Sequence, residues 1–317
     1  NQTTPPEQGG FFMEINMKVL GIGESVIDKA QILGQDQTTQ HVGGPVPIAL
    51  MLLARLGIDC MLITTLGQDA QAELIEKTLK AEQISLRIHR QKRTKTNTYL
   101  INPTTGARQK IRGATKHAAI QNLDAQLLAT FDLIIIDRHE QKAFYEVIKK
   151  KSKHTKIIID PSTEVSSFTL DMIKYADYPI IPIEALRKIG NGKDIYSSLQ
   201  RLHAITQKTA IITAGELGSI IHDGVLPDII PAIRVQAIDV QGAGDVYRGA
   251  FAYGILKNWS LTKSAAFANL VAGLQCKKLG NASALPTKEE IKQYQQQLVQ
   301  NKLAEMETHL GKEIEQY

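Results

Sequence analysis

The sequence predicts an α/β protein with a mostly parallel central sheet, helices on both of its faces, and a small β-sheet inserted as a lid. Three observations lead there. Apolar runs of strand length alternate with segments of helical periodicity along most of the 317 residues. From Ile84 to Arg112 that rhythm gives way to short alternating runs around a turn at Asn102-Pro103-Thr104-Thr105-Gly106, the pattern of antiparallel strands. The carboxyl ends of the expected strands carry Asp28, Asp69, Asp137, Asp160, Thr213 and Asp239. In open α/β sheets that edge is where ligands bind.

Taken in order, Lys18 to Gly23 reads as a first strand delivering Glu24 and Asp28 to its end. Gln31 to His41 is polar and irregular. Gly43-Gly44 opens a helix, Val46 to Leu56, which Gly57 stops. Ile58 to Leu66 is a second strand, followed by Gly67-Gln68-Asp69 and an amphipathic helix to Ala81. Beyond the inserted segment come strands at Leu133 to Ile136, Ile157 to Ile159 and Tyr178 to Ile183, with a helix from Lys142 to Lys151 between the first two. A helix from Ile195 to Ile205 precedes a strand, Ala210 to Ile212, that ends in Thr213-Ala214-Gly215-Glu216-Leu217-Gly218. Ser219 to His222 and Ile229 to Val235 read as antiparallel edge strands, and a strand-like run from Ala232 leads to Ile238. Val246 to Leu256 is helical. Leu261 to Leu279 is apolar nearly all round and reads as a buried helix. Lys288 to Leu310 is amphipathic. One domain is expected over 18–311, with lid segments near 29–42 and 84–115 and a disordered tail over 1–17.

Composition narrows the function. Hydrophobic residues make up 43%, enough for a large core. The net charge of +5 is scattered; its densest run, Arg87 to Lys95, reads as a solvated surface. With 5% aromatic residues and one Trp, the chain lacks the stacking platforms of a nucleic-acid binder. Cys60 and Cys276 both lie in apolar runs and read as small buried hydrophobes, in keeping with a reducing cytoplasm. No apolar run reaches the roughly 18 residues of a membrane span. Asn1 to Gly10 lacks the basic start and apolar stretch of a secretory signal. The expected partner is therefore a small molecule, not a nucleic acid or a membrane.

The chemistry concentrates at Asp239-Val240-Gln241-Gly242-Ala243-Gly244-Asp245. Glycines at a helix start leave bare N–H groups to face an anion, and the helix dipole favours negative charge there. A carboxylate beside such a cradle would repel a phosphate, but it could accept a proton from a hydroxyl that attacks one. A plain strand-to-helix turn with an acid in its first turn would look similar, so the spacing alone leaves both readings open.

The wider pattern resembles the ribokinase (PfkB) family of carbohydrate and nucleoside kinases, from Lys18 to about Ile291. The 239–245 segment resembles the family's Asp-Thr-x-Gly-Ala-Gly-Asp signature. The resemblance implies Asp245 as general base and Gly242, Ala243 and Gly244 as anion hole. Gly43-Gly44, Asp28 and Gly67-Gln68-Asp69 resemble its sugar-side motifs, and His139 is a candidate for the same pocket. Thr213, Gly215, Glu216 and Gly218 resemble its nucleotide loop, and Asn269 falls in the helix that flanks adenine in relatives. Glu184 keeps one half of an Asn-x-x-Glu motif that helps place magnesium, and Asp239 belongs to a monovalent-cation loop.

The implied fold is ribokinase-like, the implied function ATP-dependent phosphorylation of a sugar hydroxyl, and the implied cofactors ATP, Mg2+ and K+. A homodimer through the lid is implied as well. The chain departs from the family at Ile48, Ile181 and Val240, where relatives carry Asn, Asn and Thr. Those departures keep two alternatives open: a nucleoside kinase of the same fold, or a non-catalytic ligand-binding member.

Overall fold

The computed structural model describes residues 17–34, 38–101, 108–112 and 118–300. The expected tail, apart from Met17, and the expected end of the domain beyond residue 300 lie outside the described residues. The first half of the chain runs β1 (Lys18–Ile22), β2 (Val26–Ile32), β3 (Thr38–Gly43), α1 (Pro45–Arg55), β4 (Asp59–Leu66), α2 (Ala70–Ala81), β5 (Ser85–Arg90), β6 (Thr96–Ile101), β7 (Arg108–Arg112), α3 (Ala125–Leu128), β8 (Leu133–Asp137), α4 (Gln141–Lys150) and β9 (Lys156–Asp160). The second half runs α5 (Ser167–Tyr175), β10 (Ile180–Pro182), α6 (Ile183–Gly190), α7 (Ile195–Thr206), β11 (Ala210–Thr213), β12 (Ser219–His222), β13 (Pro227–Ile230), α8 (Ala243–Leu256) and α9 (Leu261–Cys276).

The central sheet has the order β5-β4-β1-β8-β9, and all of its pairs are parallel. A parallel bridge from Ile158 to Tyr178 leads on to a second sheet, β10-β11-β12-β13, which ends in two antiparallel pairs. Parallel strands need helical crossovers, which cover both faces, so their residues are apolar on both sides. In β8, Leu133 and Ile135 enter one core while Ile134 and Ile136 enter the other. The first core lies under α1, α2, α8 and α9 and the second under α4 to α7. Helix α1 is buried nearly all round, Val46 to Leu53. It approaches α8 so closely that a Cβ on Gly249 would stand 2.7 Å from the Ala49 carbonyl oxygen. That contact brings the N-terminal ends of the two helices to one edge of the sheet, where the site forms.

The lid sheet has the order β3-β2-β6-β7. It differs from expectation in three ways. Residues 85–90 pair in parallel with β4 instead of joining the lid, because Leu86 and Ile88 pack on the central core. The lid is not wholly antiparallel, since β2 and β6 run parallel. The stretch expected to be irregular contributes β3, whose pairing with β2 places Asp28 inside a lid strand, opposite His41. Elsewhere, 232–238 is not a strand. Ile238 and Asp239 donate their N–H groups to the Cys276 carbonyl at the end of α9, in place of a ladder. Helix 288–300 is amphipathic as expected, with Ile291 fully buried.

Asp69 ties sheet to lid. Its carboxylate caps α2 through Ala72 N–H (3.0 Å) and accepts both the N–H (2.7 Å) and the hydroxyl (2.6 Å) of Thr94, just before β6. Burial works against its charge, but these bonds outweigh it and hold the carboxyl below its ordinary value. Asp69→Ala is expected to lower stability by about 2 kcal/mol, the loss of a cap plus an unsatisfied buried hydroxyl, measured by urea unfolding at neutral pH. A change within a few tenths would mean that water replaces the clamp.

Candidate active site

A cavity of ≈ 220 Å³ opens between the carboxyl ends of the central strands and the lid. Asp28, Asn97 and Tyr99 reach it from β2 and β6, and Gly44 and Pro45 from the start of α1. Arg138 and His139 follow β8, and Asp160 ends β9. Gln241, Gly242 and Asp245 form the entry to α8, and Asn281 closes the wall behind them.

Gly242 caps α8 in the left-handed conformation, φ +81°, which few residues other than glycine adopt without strain. A Cβ there would lie 2.1 Å from Asn281 Oδ1, so the cradle exists only because that atom is missing. At the start of α8 the amides lack full helical partners: Ala243 N–H makes a long turn bond to Val240 O (3.3 Å), and Asp245 N–H a tighter one to Gly242 O (3.0 Å). An anion fits this cradle. Asp245 sits in the same first turn, its side chain 20% exposed. Burial, reinforced by the negative charges of Asp160 and Asp28 and opposed by Arg248, lifts its carboxyl to about 7.

The opposite wall is braced from below. Asp28 accepts from Asn97 Nδ2 (2.8 Å) and from Gln241 Nε2 (3.3 Å), which joins the lid to the α8 entry. Gly43 makes room for that carboxylate, since a Cβ on it would lie 2.3 Å from Asp28 Oδ2. Glu24 forms an ion pair with Lys95, and its backbone N–H donates to Asp137 Oδ2 (2.8 Å). Asp137 also accepts the His139 N–H (2.9 Å). Its own burial, then the nearby charges of Glu140 and Glu24, push its carboxyl well above the ordinary range. It shapes the turn at the cavity floor through those two backbone bonds.

Of the residues singled out in the sequence, Asp28, Gly44, His139, Gly242 and Asp245 meet in this one cavity, with Gly43 directly behind. Thr213 ends β11, and Gly215, Glu216 and Gly218 follow it in the next turn, all outside the cavity lining. Glu184 is exposed in the first turn of α6. The pairing of Pro182 with Thr213 puts it on the same sheet edge as that loop. Asn269 is buried, and its amide donates to Ser219 Oγ, Ile230 O and Pro231 O (3.2, 2.9 and 3.2 Å), clamping α9 to the edge hairpin. Asp239 accepts the N–H groups of Gln241 (3.0 Å) and Gly280 (3.1 Å), shaping the turn before the cradle. Among the described residues no group of three or more His, Cys, Asp or Glu side chains is gathered to hold a metal, and no helix is long and apolar enough to cross a membrane.

Sequence reasoning missed Asn97, Gln241, Asn281 and Arg248. One signal was available for Arg248, a lone guanidinium three residues after Asp245 in an otherwise apolar helix. Asp160 was visible as a strand-end acid but had no role. Nothing in the alternating pattern of the lid strands distinguishes Asn97 from its neighbours.

The profile of the pfkB family of carbohydrate kinases matches residues 13–288. The ribokinase of Lactococcus lactis is 33% identical over 145 residues, covering 45% of this chain and 46% of that protein. The chain thus spans about half of that relative's length. Among solved structures, a ribokinase from Thermotoga maritima superposes with a TM-score of 0.79 at 18% identity, over 88% of this chain and 99% of that one. The Arabidopsis thaliana ribokinase complexed with ribose and ATP gives 0.76 at 16% identity, over 88% and 98%.

Proposed function

The chain belongs to the pfkB family of carbohydrate kinases, and on that premise we propose that it transfers the terminal phosphoryl group of ATP to a hydroxyl of a sugar or sugar derivative. The observation that carries this reading is the placement of Asp245. Its carboxyl, lifted to about 7, lies in one helical turn with the Gly242 cradle and faces a polar cavity under the lid. A base of that strength is half-ionised near neutral pH and suits proton abstraction from an alcohol.

The acceptor lies against Asp28, Gly44, Asn97 and His139. Asp245 takes the hydroxyl proton as the acceptor oxygen bonds to phosphorus and the bond to the bridging oxygen of ADP breaks. The amides of Gly242, Ala243 and Gly244 face the charge that builds on the transferring group. The loop of Thr213, Gly215, Glu216 and Gly218 borders the nucleotide, and Asn269 stabilises that border from behind. Mg2+ bound mainly through phosphates needs only one or two carboxylates, and Glu184 is the candidate on that edge. Asp239 orders the loop that a K+ ion would use, and the ion would supply charge neutralisation there.

The test is an ATP-consumption screen of the purified chain over sugars, sugar acids, sugar phosphates and nucleosides, with and without potassium, and with Asp245→Ala as control. Turnover is expected with at least one polyhydroxy acceptor and not in the control. ATP binding by calorimetry with no turnover on any acceptor would replace this reading with a ligand-binding one. With the productive acceptor, kcat/KM should fall tenfold per pH unit below about 7 as Asp245 protonates. A flat profile down to pH 5 would deny it the role of base.

A further inference from the structure

The geometry points to Asp160 and Arg248 as positioning residues, a buried carboxylate–guanidinium pair that aims and electrostatically tunes the Asp245 carboxylate. The inference rests on the reading of Asp245 as general base and concerns two residues that the sequence patterns left without a role. Arg248 stands one turn along α8 from Asp245, with Nη1 3.3 Å from Asp245 Oδ1. Its other arm, Nη2, lies 2.6 Å from Asp160 Oδ1 at the end of β9. The side chains of Arg248 and Asp160 are 7% and 6% exposed. An unpaired guanidinium this deep would be strongly unfavourable, so Asp160 is what allows it to stay.

The two contacts are unequal, and the inequality matters. The short bond anchors Arg248 to the sheet. The longer one touches a single oxygen of Asp245, and among the described residues Oδ2 makes no hydrogen bond and is left for the acceptor. A full bidentate pair would quench the base by stabilising its charged form too well. No guanidinium at all would leave it protonated at neutral pH, beside two further carboxylates.

The charges around Asp245 come from every side of the cavity. Asp160 faces it from β9, Asp28 from β2, and Arg248 from its own helix. Across the cavity, Glu24 is paired with Lys95 and Arg138 with Glu164 (2.6 Å), while His139 lies 3.8 Å from Glu24. The Asp137 carboxyl is pushed well above its ordinary range, first by burial and then by the charges of Glu140 and Glu24. Removing Arg248 takes away the positive charge in contact with Asp245. Removing the charge of Asp160 takes away a repulsion and frees the guanidinium to turn fully to Asp245. The two changes therefore move the base in opposite directions, which a merely structural pair would not do.

The experiment is the pH profile of kcat/KM, from pH 5 to 9 with the productive acceptor, for the wild-type chain and for Arg248→Met, Arg248→Lys and Asp160→Asn. Arg248→Met should move the acid limb up by about one pH unit or more, Asp160→Asn should move it down by about as much, and Arg248→Lys should restore it to within a few tenths of wild type. Should Arg248→Met fail to fold, Asp160→Asn and Arg248→Lys still carry the opposite-sign and rescue criteria. Limbs that coincide in every folded variant, with only kcat or thermal stability changed, would overturn the inference. Asp245→Asn separates the two levels. Full turnover in that variant removes the base itself. Lost turnover with unmoved limbs in the others removes only the pair.

Discussion

Asp245→Asn is expected to cut turnover by about 10² to 10⁴, the usual worth of a general base, while making the protein harder to unfold. Both effects have one cause. The carboxyl is held at about 7 in the folded chain, against an ordinary value of 3.8, because burial and the charges of Asp160 and Asp28 outweigh Arg248. A group whose pKa is raised by folding favours the folded state most below its ordinary value, and that contribution is lost as pH rises through about 7. At pH 8 the ionised carboxylate is therefore a liability that the isosteric amide lacks. The variant should gain on the order of 2 kcal/mol at pH 8, several degrees in Tm, and much less at pH 4. ATP affinity, measured by calorimetry, should change little, since the cradle amides remain. An equal gain at both pH values would place the unfavourable charge elsewhere, and undiminished turnover would take Asp245 out of the mechanism.

The parts of this site that rest on local chemistry were legible in the sequence. Gly43-Gly44 announces the opening of an apolar helix, and Gly242-Ala243-Gly244-Asp245 a helix start able to face an anion, and both helices form there. Strand ends were legible where an apolar run stops on Asp137 or Asp160, which end β8 and β9, but not at Asp28, which lies inside β2, or at Asp239, which follows no strand. What depends on pairing between distant segments was not. Residues 85–90 alternate like a lid strand, and only their register beside β4 reveals an edge strand of the central sheet. The run 232–238 is apolar enough for a strand, but the N–H groups at its end donate to the Cys276 carbonyl at the terminus of α9, which no local pattern encodes.

The three departures from the family pattern acquire different physical meanings in the fold. Ile48 is fully buried on α1 and does not line the cavity, so an apolar side chain there is at home. The amides that reach Asp28 come instead from Asn97 and Gln241. Ile181 is buried in β10, while its motif partner Glu184 stays exposed. Val240 is 69% exposed, a hydrophobic residue on the outer side of the turn that Asp239 shapes. None of the three sits among the groups that surround Asp245. The changes fall in the core, on the strand that precedes exposed Glu184, and on the outer turn.

Gly44→Ala is expected to be the most damaging single-atom addition to the wall of the cavity. Gly44 is the cap of α1, at φ +111°, a conformation that L side chains rarely adopt. A Cβ there would lie 2.1 Å from the carbonyl oxygen of Glu24, a backbone atom that no rotamer change can move. Relief requires a shift of either the Glu24 backbone or the start of α1. The first carries the ion pair with Lys95 and the bond to Asp137, and the second is locked against α8 at Ala49 and Gly249. Strain of this kind costs about 3 kcal/mol or more, and a misplacement on the order of 1 Å at a substrate-facing wall lowers kcat/KM by roughly 10². Gly57→Ala supplies the comparison. It has φ +88° but nothing within 4 Å of the added carbon, so it should cost only about 1–2 kcal/mol and leave kcat/KM unchanged. Denaturant unfolding and acceptor kinetics on the two variants separate backbone strain from collision. If Gly44→Ala behaves like Gly57→Ala in both measurements, the turn at Gly44 yields freely, and the close packing of Glu24 against α1 is not what fixes the acceptor wall.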